Sequence, residues 1–200
     1  MKNNLLGVVL CGGLSTRMGE DKGMLNVREE ERWAEKMLGL LSKVAPSVIS
    51  INETQKPIYR DFFKEEQLIV DLPLININGP LRGLLSVYEK FPQHDLLVLP
   101  CDLVNFDEKA LNKIVEAYLT DIKHEVIAPL SQNYLQPLAT IYKVHGSERI
   151  KNWVENNSLK NRSMMHVLRR LKTLEVTFDE SFDYAFKNFN HPSDIGEKSV

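Results

Sequence analysis

Through the first 120 residues, short runs of apolar residues alternate with segments in which apolar side chains recur every three or four positions. The runs at residues 5–11, 48–52, 68–71 and 95–102 are largely apolar, which is typical of strands covered on both faces. The spaced segments between them predict amphipathic helices. Strands and helices in this order predict an α/β fold with a mostly parallel sheet and right-handed crossovers.

Residues that start or stop helices bound three of the helical segments. Pro46 ends the first segment, whose apolar stripe covers residues 33–44. Gly79 and Pro80 open the second, because proline suits a first helical turn. Residues 105–108 resemble a capping box in which asparagine replaces the usual serine or threonine. Later in the chain, strands are predicted at 125–128, 135–142 and 173–178, and helices near 147–155 and 163–171.

The composition is that of an ordinary globular protein. Of the 200 residues, 43% are hydrophobic and 26% are charged, and the formal net charge is −2. Without a basic excess the chain is not expected to bind nucleic acid. No apolar run is long enough for a membrane span or a signal peptide. We therefore expect one cytoplasmic domain over residues 1–200, with no repeat or linker inside it.

Polar or small residues stand at the carboxyl ends of the four predicted strands. Gly12 and Gly13 follow the first strand, whereas Asn52, Asp71 and Asp102 close the other three. Ligands of open parallel sheets bind beyond the carboxyl ends of the strands. We therefore expect these residues, which are far apart in sequence, to converge on one edge.

The loop from Gly12 to about Asn26 has the chemistry of a phosphate site. Adjacent glycines allow backbone N–H groups to approach an anion. Arg17 and Lys22 add a planar fork of donors and a point charge. The loop fits neither a Walker motif nor a Rossmann fingerprint. Its glycines and cations together predict binding of phosphate groups.

The side chains at the other strand ends each allow two interpretations. Asp102 is either a magnesium ligand, because that ion prefers oxygen donors beside phosphate, or a helix cap for the segment that follows it. Asp71 stands at a similar strand end, so it is either a ligand-binding residue like Asp102 or a plain loop aspartate. Asn52 contacts a base or ribose, or it closes a turn.

Cys11 and Cys101 each lie at the end of an apolar run, and neither belongs to a CxxC motif or a Cys/His cluster. Both are expected to be small buried hydrophobic residues. A disulfide is not expected in a reducing compartment.

Several segments together resemble the molybdenum cofactor guanylyltransferases of the MobA type. The matching segments are, in chain order, Gly-Val-Val-Leu-Cys-Gly-Gly at 7–13, Ser-Thr-Arg-Met-Gly at 15–19, Asp-Lys-Gly at 21–23, Gly-Pro-Leu-Arg-Gly-Leu at 79–84, Leu-Pro-Cys-Asp at 99–102, Gln-Pro-Leu at 136–138 and Asn-Phe-Asn-His-Pro at 188–192. Each match alone is weak. Together they cover nearly the whole chain in the family's order, which makes the resemblance specific.

The resemblance implies a three-layer αβα nucleotidyltransferase fold, Rossmann-like with a mostly parallel sheet, and transfer of GMP from GTP to molybdopterin with release of pyrophosphate. The residues expected to bind GTP, with Gly13 of the same loop included, are Leu10, Cys11, Gly12, Gly13, Lys22, Asn52, Asp71 and Asp102. Asp102 would also hold Mg²⁺, and Arg17, Lys22 and Asp102 are the expected catalytic residues. Asn188 and Asn190 are implied on the molybdopterin side. Proteins that deliver molybdopterin or receive the product for molybdoenzymes are expected as candidate partners.

Two positions depart from the family pattern. Cys11 stands where alanine is common, a change compatible with backbone contacts, and His191 replaces threonine before Pro192, which puts the cap of that turn in question. The double glycine favours the guanylyl branch, since the related cytidylyltransferases resemble Leu-Ala-Ala-Gly there. Two other function classes stay open. One is a nucleotidyltransferase of the same superfamily that uses CTP as the nucleotide donor or transfers to another acceptor, such as a sugar 1-phosphate or an isoprenoid precursor. The other is a non-catalytic nucleotide-binding protein. The presence of both Lys22 and Asp102 speaks against the second class.

Overall fold

A computed structural model of the protein describes residues 4–12, 21–28, 31–75 and 77–189. In chain order its strands are β1 (Leu5–Leu10), β2 (Asn26–Arg28), β3 (Glu31–Arg32), β4 (Ser47–Ile51), β5 (Leu68–Val70), β6 (Asp95–Pro100), β7 (Val126–Ser131), β8 (Tyr134–Leu135), β9 (Thr140–Tyr142) and β10 (Thr173–Phe178). The helices are α1 (Trp33–Leu41), α2 (Lys56–Tyr59), α3 (Pro80–Lys90), α4 (Glu108–Thr120), α5 (Val144–Glu155) and α6 (Met164–Arg170). Short 3₁₀ helices lie at Lys22–Met24, Glu65–Gln67 and Glu180–Phe186.

The main sheet of the described residues contains eight strands. Seven follow the order β10-β7-β9-β6-β1-β4-β5, and β8 pairs with β7. β1 pairs in parallel with β4 and β6, β4 with β5, and β7 with β10. β9 is antiparallel to β6 and β7, and β8 is antiparallel to β7. The mostly parallel sheet predicted from the sequence is confirmed.

β1 lies within the parallel part of the sheet, and all six of its residues are buried. Its last residue, Leu10, pairs with Ser50 on one side and with Pro100 on the other. The three strands therefore end at nearly the same level. This register brings the residues that follow them to a single edge of the sheet.

Successive residues of each strand point to opposite faces of the sheet, so two cores form. On one face, the core that contains Val9 includes Met37 of α1 and Ile114 of α4. On the other face, the core that contains Val8 includes Leu84 of α3, together with residues of α5 and α6. Helices thus cover both faces, and the three-layer αβα fold is confirmed.

The cap of α4 differs from the sequence prediction. The side chain of Asp107 accepts a hydrogen bond from the backbone nitrogen of Ala110 at 3.0 Å, so Asp107 is the N-cap. The predicted capping asparagine, Asn105, lies two residues earlier. Asparagine and aspartate cap helices about equally well, so residue type could not decide between them.

The single strand predicted at residues 135–142 was wrong, since this segment contributes to two short strands, β8 and β9. Between them, the backbone nitrogen of Ala139 donates to the carbonyl of Gln136 at 3.2 Å and closes a turn. Pro137 inside this turn has no N–H to offer a neighbouring strand. The sequence analysis also missed α2 and the β2–β3 pair, which are too short to show a period.

Candidate active site

The residues predicted to converge lie at the ends of β1, β4, β5 and β6. The backbone nitrogens of Cys11 and Gly12 both donate to the carbonyl of Ser50, at 2.9 and 3.1 Å. The nitrogen of Asp71 donates to the carbonyl of Ile51 at 2.8 Å. These bonds extend the pairing beyond the strand ends, and they fix the backbone of the candidate site.

Gly12, Asn52 and Asp71 lie next to one another. A methyl group added to Gly12 would stand 3.5 Å from Asp71 Oδ2 and 3.8 Å from the backbone nitrogen of Asn52. Both distances are ordinary van der Waals contacts, so among the described residues the space beside Gly12 is narrow but not filled. The structure therefore brings together three of the residues that the sequence analysis assigned to the nucleotide.

Asn52 itself closes a turn. Its Oδ1 accepts hydrogen bonds from Thr54 Oγ1 at 2.6 Å and from the backbone nitrogen of Gln55 at 3.1 Å. The turn interpretation of Asn52 is therefore part of the structure, and it does not conflict with ligand binding. A contribution of its side chain to a ligand would come from the amide N–H groups.

Asp71 is a carboxylate with unused acceptor capacity. Its Oδ1 is buried and has no hydrogen-bond partner among the described residues. Burial raises the pKa of Asp71 from 3.8 to about 6, although the charge of Arg82 and the Ser50 hydroxyl oppose this shift. A partly buried carboxylate whose Oδ1 lacks a donor is costly, and a ligand that presents N–H groups could supply donors to this carboxylate.

Asp102 and Lys22 form an ion pair although they are 80 residues apart in the chain. Lys22 Nζ lies 2.9 Å from Asp102 Oδ2, and the two side chains are 19% and 21% exposed. The helix that follows Asp102 is capped by Asp107, so the structure gives no support to a capping role for Asp102. A cation and a carboxylate at the open edge of a sheet can serve phosphate and metal chemistry.

The carboxyl-terminal segment reaches the same place. The backbone nitrogen of Phe189 donates to the carbonyl of Asp102 at 3.2 Å, and the Phe189 ring meets the Trp33 ring edge-on with centroids 6.1 Å apart. Asn188 precedes this anchor and is exposed. Among the other predicted residues, Gly13, Arg17 and Asn190 lie outside the described residues.

Cys11 and Cys101 are both buried free thiols, as expected. They directly follow the neighbouring strands β1 and β6, and the backbone nitrogen of Cys101 donates to the carbonyl of Leu10 at 3.1 Å. A hydrogen bond with Cys11, together with burial, raises the pKa of the Cys101 thiol. A protonated, buried thiol is unreactive, so Cys101 acts as a small hydrophobic residue.

A hydrogen-bonded group of three side chains next to Lys22 had no predicted role. It consists of Asp21, Gln55 and Tyr59. Gln55 and Tyr59 are buried, and both donate to the carboxylate of Asp21, at 2.6 and 3.0 Å. Asp21 stood inside a matched segment, but Gln55 and Tyr59 follow β4 in a stretch without apolar periodicity. No sequence signal could have identified them, because their partners come from other elements.

The described residues offer few ligands for a metal. They contain no group of three or more His, Cys, Asp and Glu side chains that could hold a metal ion. A Mg²⁺ ion in a nucleotide site usually keeps several waters and takes one or two carboxylates besides the phosphates. The single carboxylate of Asp102 fits that donor set. None of the described helices is long and apolar enough to cross a membrane.

Comparisons with known proteins give a consistent result. The family model described as MobA-like NTP transferase domain matches residues 7–174. A probable molybdenum cofactor guanylyltransferase from Halalkalibacterium halodurans is 28% identical over 196 residues, 96% of each chain. A protein of the same description from Bacillus cytotoxicus is 26% identical over 177 residues, covering 88% of this chain and 86% of its own.

Among solved structures, the molybdopterin-guanine dinucleotide biosynthesis protein A from Archaeoglobus fulgidus superposes with a TM-score of 0.74. The match covers 96% of this chain and 95% of that protein at 19% sequence identity. At this level of sequence identity, the superposition establishes the shared fold and nothing further.

Proposed function

The chain belongs to the family of MobA-like NTP transferase domains, and we propose that it transfers GMP from GTP to molybdopterin with release of pyrophosphate. The nucleotidyltransferase class follows from the family, whereas GTP and molybdopterin are the proposed substrates. The observation that carries the proposal is that the Lys22–Asp102 pair lies at the end of β6, on the same edge of the sheet as Gly12, Asn52 and Asp71 at the ends of β1, β4 and β5.

The base is proposed to bind at Asp71. Guanine presents its N1–H and its exocyclic amino group side by side, so a carboxylate can accept both. The Asp71 carboxylate beside Gly12 supplies such an acceptor, and with a pKa of about 6 it is mostly ionised at neutral pH. Cytosine offers one donor next to an acceptor on the corresponding edge, and a carboxylate would repel the latter. This difference supports GTP over CTP.

The triphosphate is proposed to lie between the glycine loop and Lys22. Lys22 Nζ, which pairs with Asp102 in the structure, would turn its charge toward the phosphate oxygens. Arg17 and Gly13 are proposed to add contacts from the same loop. A fixed cation stabilises the charge that develops on the departing pyrophosphate, and it does so without reorganisation.

The reaction needs little acid–base chemistry from the protein. An oxygen of the molybdopterin phosphate attacks the α-phosphorus of GTP, and the bond from this phosphorus to the bridging oxygen of the β-phosphate breaks. The attacking phosphate is already anionic near neutral pH, so no strong general base is required. Catalysis then rests on positioning and on charge neutralisation.

Asp102 is proposed to hold Mg²⁺ together with phosphate oxygens. When bound, the ion neutralises negative charge on the α-phosphate. Asn188 and Asn190 are proposed to contact the pterin, since Phe189 anchors their segment to the carbonyl of Asp102.

Pyrophosphate release tests the proposed function. The protein is incubated with Mg²⁺ and each of the four nucleoside triphosphates, with and without molybdopterin. We expect release only when GTP and molybdopterin are both present. Release that is fastest with CTP, or that is independent of molybdopterin, would contradict the proposal.

A further inference from the structure

A buried glutamine, Gln55, forms hydrogen bonds with three separate segments of the candidate site. Gln55, which is 6% exposed, donates through Nε2 to the carbonyl of Cys11 at 2.9 Å and to Asp21 Oδ2 at 2.6 Å. Its Oε1 accepts from the backbone nitrogen of Asn52 at 2.8 Å. The amide thus uses both donors and its acceptor. It joins the end of β1, the turn after β4 and the residue just before Lys22.

Asp21 connects Gln55 to the turn that carries Lys22. It is the N-cap of the 3₁₀ helix Lys22–Met24, and its Oδ1 accepts from the backbone nitrogen of Gly23 at 2.9 Å. The same oxygen accepts from the Tyr59 hydroxyl at 3.0 Å. Donors from Gln55, Tyr59 and the turn therefore surround the carboxylate.

Gly23 and Tyr59 make this arrangement tight. A methyl group on Gly23 would clash with the Tyr59 hydroxyl oxygen and would lie 3.1 Å from Cys11 Sγ. Tyr59 is fully buried, and burial is the main reason that the pKa of its hydroxyl is raised. The hydroxyl stays protonated and keeps donating, so the turn has little freedom to shift on the tyrosine.

From this geometry we propose that Gln55 is a positioning residue for Lys22, a role that rests on the proposed function and adds a residue to it. Gln55 holds Asp21, Asp21 holds the turn, and the turn places Lys22 Nζ beside Asp102 and the triphosphate. The same amide also fixes the Cys11 carbonyl and the Asn52 turn. An amide is required, because a carboxylate could not donate to Cys11 and would face the carboxylate of Asp21.

The substitution Gln55→Glu tests the requirement for an amide. At pH 8 we expect kcat to fall roughly 30-fold, since two carboxylates would meet at the former hydrogen bond. The ratio of the variant's kcat to the parent's should rise toward pH 6, as the new pair takes up a proton and regains a donor. A ratio that does not depend on pH would contradict the proposal.

Gln132→Glu is the matched control. Gln132 follows β7 and is exposed, and its Nε2 donates to Asp183 Oδ2 at 2.6 Å, the same bond length as at Asp21. We expect its kcat to stay within twofold of the parent at every pH. An equal loss in both variants would show that the effect is not specific to the site.

A second test asks whether Gln55 acts through Lys22. In a Lys22→Ala background, Gln55→Glu should lower kcat by less than threefold, because the group that it positions is gone. A further loss of the full 30-fold would mean that Gln55 acts independently of Lys22.

Tyr59→Phe keeps the ring and removes one donor to Asp21. If Gln55→Glu does not fold, this variant carries the same test, with an expected loss of about fivefold in the parent.

The rate of Lys22 acetylation by acetic anhydride, followed by mass spectrometry, separates this proposal from the proposed function. We expect Gln55→Glu to change this rate at least threefold, whereas Gln132→Glu leaves it unchanged. If the parent transfers no nucleotide but Lys22 reactivity changes in this way, only the proposed function fails. Unchanged Lys22 reactivity in folded Gln55→Glu would overturn the positioning role.

Discussion

Gly12 is a residue at which binding can be separated from folding. Among the described residues a methyl group there would make ordinary contacts with Asp71 and Asn52, so Gly12→Ala should fold with nearly unchanged stability. The methyl would project into the space assigned to GTP, and we expect the Kd for GTP to rise about tenfold, which is about 1.4 kcal/mol. Calorimetric titration and thermal unfolding of the same sample measure both effects.

Gly39→Ala is the control for Gly12→Ala. Gly39 lies in α1, and apart from its chain neighbours and the helix's own backbone no atom of the described residues lies within 4 Å of an added methyl, so the substitution should leave GTP binding unchanged. It should raise stability by about 0.5–1 kcal/mol through helix propensity. If Gly12→Ala binds GTP as tightly as Gly39→Ala does, the nucleotide does not lie beside Gly12.

Asp71 couples stability to pH in the direction opposite to that of a salt-bridged carboxylate. Its pKa is raised to about 6 in the folded protein, so the folded state binds this proton more tightly than the unfolded chain does. Its contribution to stability is favourable below about pH 4 and is lost as pH rises to about 6. Asp71→Asn removes the cost of the buried charge, and should raise the free energy of unfolding at pH 7 by about 1 kcal/mol.

The same substitution should weaken GTP binding, because the amide lacks the charge and one of the two acceptors. We expect the Kd to rise at least tenfold at pH 7, and in the parent protein GTP affinity should fall as pH drops below 6. Asp61→Asn, at an exposed aspartate, should change neither quantity. A variant that is less stable and binds GTP normally would refute the assignment of Asp71.

Asp102 directly follows β6, and its carboxylate is partly exposed beside Lys22. Asp102→Asn keeps the shape of the side chain and removes the charge. We expect transfer to fall roughly 1000-fold, about 4 kcal/mol of transition-state stabilisation, while the melting temperature stays close to that of the parent. Magnesium-dependent pyrophosphate release and thermal unfolding measure the two effects, and near-normal turnover would refute the metal role.

Among the elements of the fold, the segment that follows the last 3₁₀ helix brings Asn188 close to the candidate site. Phe189 anchors it to Asp102 and Trp33, while the preceding Asn188 is exposed. Asn188→Ala should raise the KM for molybdopterin several-fold without changing GTP affinity or stability. Asn152→Ala, at an exposed residue of α5, is the control. An equal loss of GTP affinity at Asn188 would contradict a role on the pterin side.

The parts of the fold that follow from the sequence are the elements with a strong apolar pattern. β1 and β6 are continuous apolar runs, α3 and α4 show helical stripes, and β10 was predicted with its observed bounds. The short α2 and the split between β8 and β9 have too few residues for a period to appear. Their conformation is set by tertiary contacts and by Pro137.

The candidate site divides in the same way. Gly12, Asn52, Asp71 and Asp102 could be predicted because they stand at the ends of recognisable strands, and parallel strands end on one edge. Gln55 could not, because nothing in its neighbourhood indicates that its amide meets the Cys11 carbonyl and Asp21. A buried polar contact between distant segments becomes visible only when the chain is folded.

At the scale of the molecule, we propose that residues 1–200 form a single domain. The two cores lie on opposite faces of one sheet and share its strands, so neither can form without the other. Thermal unfolding should therefore show one cooperative transition, with equal calorimetric and van't Hoff enthalpies. Two separated transitions would contradict this proposal.

We propose that the molecule as a whole brings GTP and molybdopterin together for nucleotidyl transfer. To test this, GTP with radioactive phosphorus in its α-phosphate is incubated with the protein, Mg²⁺ and molybdopterin. We expect the label to appear in a molybdopterin guanine dinucleotide, and equally labelled CTP to yield no such product. Label that stays in GTP, or that enters the product equally well from CTP, would contradict the proposal.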